Sequence, residues 1–151
     1  SSDLKRLMSI RMRLYASPDY LAQHGEPKTM ADMSHHRLIC QNPSSAQVSA
    51  GMQLVQELLT NDIEQTLTVN NYFGVLQAVI SNLGIGVLPD YIIEDFPSVV
   101  RVLPDVESGE VPVFLAYPEE LRQSKRVAAF RDFVQEEIMA HRRSRRAMGA
   151  D

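Results

Sequence analysis

One cysteine, Cys40, is all the thiol chemistry this sequence carries, so no internal disulfide can form and a reducing compartment is expected. No apolar run approaches the roughly 18 residues a membrane span requires. Residues 1–13 hold basic side chains but no continuous apolar core, so they do not read as a secretory signal, and a cytoplasmic location is expected. The excess of either sign of charge is also small. The net charge of -4 argues against the chain as a whole being a nucleic-acid binder. The dense basic run Arg142-Arg143-Ser144-Arg145-Arg146 sits near the C-terminus, and residues 141–151 are expected to form a flexible, solvated tail.

Catalytic signatures are missing as well. The four histidines, His24, His35, His36 and His141, show no H-x-x-x-H or H-E-x-x-H spacing, and Cys40 has no C-x-x-C partner, so no zinc site is expected. There is no G-x-S-x-G elbow, and the close pair Gly84 and Gly86 lacks the third glycine and the lysine of a phosphate loop. No cofactor is expected, and the chain does not read as an enzyme. Cys40, at the end of an apolar strand, is expected to be a small buried hydrophobe. His35-His36 reads as a surface turn.

What is present alternates between strand and helix signals. Residues 10–16 alternate apolar and basic side chains and then turn apolar, which predicts a strand. Ser17-Pro18 supplies an N-cap and a proline at the first helical position, and Gly25 and Pro27 stop the short helix that follows. Thr29 opens another short helix, and Arg37–Cys40 is a short apolar strand. Residues 48–59 carry apolar side chains at helical spacing. Residues 65–69 alternate as a strand. Asn71 is a good N-cap for a helix whose apolar face is Val75, Leu76, Val79, Ile80 and Leu83. Gly84 is expected at the left-handed position closing that helix, and Ile85–Leu88 is expected as a buried strand. Val99–Leu103, ended by Pro104, and Val111–Tyr117 are further strands. Ser124 caps a last helix with Val127, Phe130, Phe133, Val134 and Ile138 on one face. The class is α/β.

Polar residues of capping type gather at strand-to-helix junctions: Ser17; Gln41, Asn42 and Ser44; Asn70 and Asn71. In α/β folds such junctions can converge on one small-ligand site.

The segments Leu14-Tyr-Ala-Ser-Pro-Asp-Tyr-Leu21, His24-Gly-Glu-Pro27, Ala31-Asp32 and His36-Arg-Leu38 resemble the effector domain of LysR-type transcriptional regulators. The resemblance continues through Asn71 to Gly84-Ile-Gly-Val-Leu-Pro-Asp-Tyr91, Val100-Arg-Val-Leu-Pro-Asp105, Val113-Phe-Leu-Ala-Tyr-Pro118 and the helix from Ser124 to Phe133. It implies a type 2 periplasmic-binding-protein-like fold: the second lobe plus the C-terminal part of the first. Residues 1–13 would end a first-lobe segment. Residues 14–117 would form the second lobe with two crossing hinge strands, and residues 118–140 would return to the first. It implies binding of a small-molecule inducer, with Ser17, Gln41, Asn42, Ser44, Asn70 and Phe114 as contacts. It further implies homo-oligomers formed through effector domains. DNA binding would come only through an N-terminal winged helix-turn-helix that has no counterpart in these residues. A solute-binding protein for a small polar ligand shares the fold and is the alternative.

Overall fold

The structure is a computed structural model and describes residues 2–42, 49–63 and 65–147. The element order is β1 (Ser2–Ile10), β2 (Met12–Ala16), α1 (Pro18–His24), β3 (Arg37–Gln41), α2 (Ser49–Leu59), β4 (Gln65–Val69), α3 (Tyr72–Ile80), β5 (Ile85–Pro89), β6 (Val100–Glu107), β7 (Val111–Pro118) and α4 (Lys125–Ala147), with 3-10 turns at Met30–His35, Asp90–Glu94 and Glu119–Leu121. The chain divides into two compact units, residues 10–111 and residues 1–9 with 112–151.

The larger unit is built on a five-stranded sheet of order β4-β3-β5-β2-β6. β3 lies parallel to β4 and β5, whereas β2 is antiparallel to both of its neighbours, β5 and β6. Met12–Ala16 is therefore an inner strand of this sheet. α3 packs on this sheet with Val75, Leu76 and Val79 fully buried against Tyr15, Ile39 and Leu88. Each such side chain contributes about 1.5–3 kcal/mol by leaving water. Gly86 permits this approach: a Cβ there would lie 2.4 Å from Val79 Cγ2 and 3.0 Å from Val75 Cγ1.

The close of α3 differs from the expectation. The helix ends at Ile80, and the left-handed residue is Asn82 (φ 64), not Gly84. The Asn82 N–H donates to Val79 O at 3.0 Å and the Leu83 N–H to Ala78 O at 3.1 Å, the paired bonds of a Schellman stop. Asparagine tolerates that region because its short polar side chain can bond locally. Gly84 is needed for another reason: a Cβ there would sit 2.5 Å from the Arg37 carbonyl oxygen.

Two other boundaries moved. Pro104 lies inside β6, not at its end, because β6 is an edge strand and its register against β2 shifts between Arg13 and Leu14. A proline is tolerated at an edge bulge, where no ladder bond needs its N–H. His36 is buried, not on a surface turn, because it ends the 3-10 turn under the Tyr20 ring.

In the smaller unit β1 pairs with β7. β7 alternates half-buried and exposed residues, with Phe114 48% exposed. Ser124 caps α4, its Oγ accepting the Val127 N–H at 3.3 Å. α4 then runs on to Ala147, through most of the segment expected as a tail. No helix breaker intervenes, and Arg146 in the last turn of α4 is the charge that complements the C-terminal end of a helix dipole. The aromatic residues Phe130 and Phe133 of this helix are more than half exposed.

Candidate functional site

The parallel pairing of β3 with β4 brings their C-terminal ends side by side, with Gln41 opposite Val69. The ladder runs one residue further, because the Asn42 N–H donates to Val69 O at 2.8 Å. Gln41 Nε2 donates to the Asn70 carbonyl at 3.1 Å. Gln41 Oε1 is buried and has no hydrogen-bond partner among the described residues. An unpaired buried acceptor of this kind costs about 1–3 kcal/mol unless a ligand or water supplies a donor.

Asn70 is exposed, and the next residue caps α3. Asn71 Oδ1 accepts the Gly74 N–H at 2.9 Å, the N-cap anticipated from the Asn pair. Gln41, Asn42 and Asn70 therefore meet at one sheet edge beside a helix N-terminus, the position at which parallel sheets commonly hold ligands. None of the three titrates. The chemistry available there is hydrogen bonding, with donor and acceptor amides, and the sole thiol is withdrawn: Cys40 is buried, and burial pushes its pKa up.

Of the remaining expected contacts, Ser17 falls elsewhere. Ser44 lies outside the described residues. Phe114 belongs to β7 in the smaller unit. Ser17 follows β2, and β2 runs antiparallel to β5, with Tyr15 opposite Gly86. Ser17 is thus at the other end of the sheet from Gln41 and Asn70, where it caps α1 and donates to Asn82 Oδ1 at 2.5 Å. Its grouping with Gln41, Asn42 and Asn70 is corrected accordingly. The reversal of strand direction is not marked by any local residue pattern.

Residues 2–139 match the family model of the LysR substrate binding domain. The chain belongs to the LysR substrate-binding domain family. A curated relative, an uncharacterized HTH-type transcriptional regulator of Haemophilus influenzae, is 23% identical over 117 residues, covering 76% of this chain and 41% of that relative. The chain thus spans about two fifths of its length. The regulatory domain of CrgA, a LysR-type regulator of Neisseria meningitidis, is similar in fold with a TM-score of 0.74, at 21% identity over 90% of this chain and 68% of that one. Full-length AphB, the Vibrio cholerae virulence activator, gives a TM-score of 0.66 at 24% identity over 91% of this chain and 48% of its own. The effector domain of AmpR from Pseudomonas aeruginosa gives 0.67 at 16% identity, covering 95% and 69%. At these identities the likeness establishes the fold, a LysR regulatory domain of the periplasmic-binding-protein type. No helix among the described residues is long and apolar enough to cross a membrane.

Proposed function

We propose that this chain is the effector-sensing part of a LysR-type transcriptional regulator, and that it recognises a small polar inducer through Gln41, Asn42 and Asn70. The observation that carries the reading is the unpaired, buried Gln41 Oε1 beside the Asn70 backbone at the N-terminus of α3, in a chain of this family. An inducer that donates to this oxygen binds one arrangement of the domain better than others and shifts its population accordingly. Ser44 and Phe114 are proposed as further contacts on the family resemblance. Control of DNA through an N-terminal domain, homo-oligomers, a non-enzymatic role and a cytoplasmic location go with the same reading. Family membership favours it over a transport solute-binding protein.

The test uses the intact regulator with its operator. Gln41→Ala and Asn42→Ala should leave operator binding unchanged and abolish the response to inducer. An unaltered response in both variants removes this sheet edge from the site.

A further inference from the structure

A second polar hollow lies at the opposite ends of β3 and β4. It has a volume of about 250 Å³ and is lined by Tyr20, His24, His35, His36, Arg37 and Asn82, with Gln65 and Leu83 at its side. Arg37 and Gln65 are paired across the first rung of the ladder and Gln41 and Val69 across the last, so the hollow is roughly 13 Å from the proposed inducer contacts at the usual strand rise.

The charged groups of the lining are all basic, and no carboxylate is among its described residues. Asp32, on the 3-10 turn that carries His35, is turned to its own backbone: its Oδ2 accepts the Lys28 N–H at 2.8 Å and the Thr29 N–H at 2.9 Å. Arg37 is held in place from two sides, Nε donating to Gln65 Oε1 at 2.9 Å and Nη1 to Leu83 O at 3.2 Å. Its Nη2 has no partner among the described residues. A guanidinium fixed in this way loses little side-chain entropy on meeting an oxyanion. Beside it the Tyr20 hydroxyl bonds His36 Nδ1 at 2.8 Å, and the His24 ring stacks on Tyr20 with centroids 4.5 Å apart. No group of three or more His, Cys, Asp or Glu among the described residues is arranged to hold a metal ion.

We propose that this hollow is an anion site, in which the free edge of the Arg37 guanidinium and the imidazoles of His24, His35 and His36 bind a small phosphate- or carboxylate-bearing molecule. The groups facing His36 are His24 from α1, Asp32 and His35 from the 3-10 turn, Arg37 from β3 and the Tyr20 hydroxyl. Asn82 makes the hollow sensitive to the fold around it, because it closes α3 and bonds Ser17 at the start of α1. The site stands apart from the inducer contacts, and its test does not depend on them.

The experiment is an NMR titration of the isotope-labelled chain with inorganic phosphate, and separately with succinate, at constant ionic strength set by sodium chloride. The signals followed are Arg37 Nε–H and the histidine ring C–H groups. Saturable movement of Arg37, His24, His35 and His36 is expected while His141, on α4, stays still. Arg37→Gln should weaken binding about tenfold or more, the effect of one charge-assisted hydrogen bond. His24→Gln, an exposed change that leaves Arg37 anchored, should weaken it by a smaller factor. Saturation by phosphate alone assigns a phosphate ligand, and saturation by succinate alone a carboxylate. Saturation by neither, equal movement of His141, or unchanged affinity in both variants overturns the proposal.

Discussion

Ser17 Oγ donates to Asn82 Oδ1 at 2.5 Å while the same oxygen accepts the Tyr20 N–H at 3.1 Å. One hydroxyl thus ties the N-terminus of α1 to the C-terminal stop of α3, across 65 residues of sequence. Ser17 is buried, so the loss of either bond is not made good by water.

Ser17→Ala should therefore lower stability by about 2 kcal/mol, one part for the lost cap and one for the lost bond to Asn82. Asn82→Gly should lose only the bond, about 1 kcal/mol, because glycine accepts the left-handed backbone. Asn82→Ala should lose about 1 kcal/mol more than Asn82→Gly. Urea denaturation followed by circular dichroism ranks the three variants. Equal stability of Asn82→Gly and Asn82→Ala would refute the backbone account.

Gly86→Ala should destabilise by about 1–3 kcal/mol, because the new methyl would meet Val79 and Val75 in a filled core. Gly109→Ala is the control. A Cβ there meets nothing within 4 Å, so the change should stay within about 0.5 kcal/mol of neutral in the same urea experiment.

Burial, chiefly, and then the neighbouring His24 hold the His36 pKa below its ordinary 6.5. The unfolded chain thus takes up this proton more readily than the folded one. The contribution of neutral His36 is present in full above about pH 6.5 and is lost as the pH falls from there toward the lower folded value. The parent protein should lose stability on acidification in that window, and His36→Gln should lose less over the same interval. Urea midpoints measured across the window decide it; parallel curves for the two proteins would rule out His36 as the titrating group.

Cys40 is 1% exposed, and burial alone raises its pKa. Thiolate is therefore scarce in the folded protein, and a thiol reagent such as Ellman's should react orders of magnitude more slowly with the native chain than with the urea-unfolded chain. Rapid labelling of native protein would show that β3 opens readily.

Much of this molecule is written in short-range pattern. The N-caps at Ser17, Thr29, Asn71 and Ser124 all act on the residue three positions on, within reach of the local chain. The buried run Ile85–Pro89 and the burial of Val75, Leu76 and Val79 on α3 follow from periodicity, whereas Ile80, expected on the same face, is 38% exposed. The sequence places Val75, Val79 and Leu83 together on that face. The structure buries the first two against Gly86 and leaves Leu83 40% exposed, because α3 has already ended at Ile80.

Gln41, Asn42 and Asn70 were legible as a group because β3 and β4 run parallel, so residues that end each strand end it on the same side. Ser17 looked like a fourth member by the same junction chemistry. It went to the opposite end because β2 enters the sheet antiparallel, and strand direction is set by which neighbour a strand pairs with, not by its own side chains. His36, Arg37, Gln65 and Asn82 come from three separate stretches of chain, and only the β3–β4 register and the Asn82 stop bring them around one hollow. Helices and caps belong to the sequence because hydrogen bonds to the third and fourth neighbour decide them, and the α/β class because the apolar period of each segment does. The partition of polar residues between two ends of one sheet belongs to the tertiary structure because long-range pairing decides it.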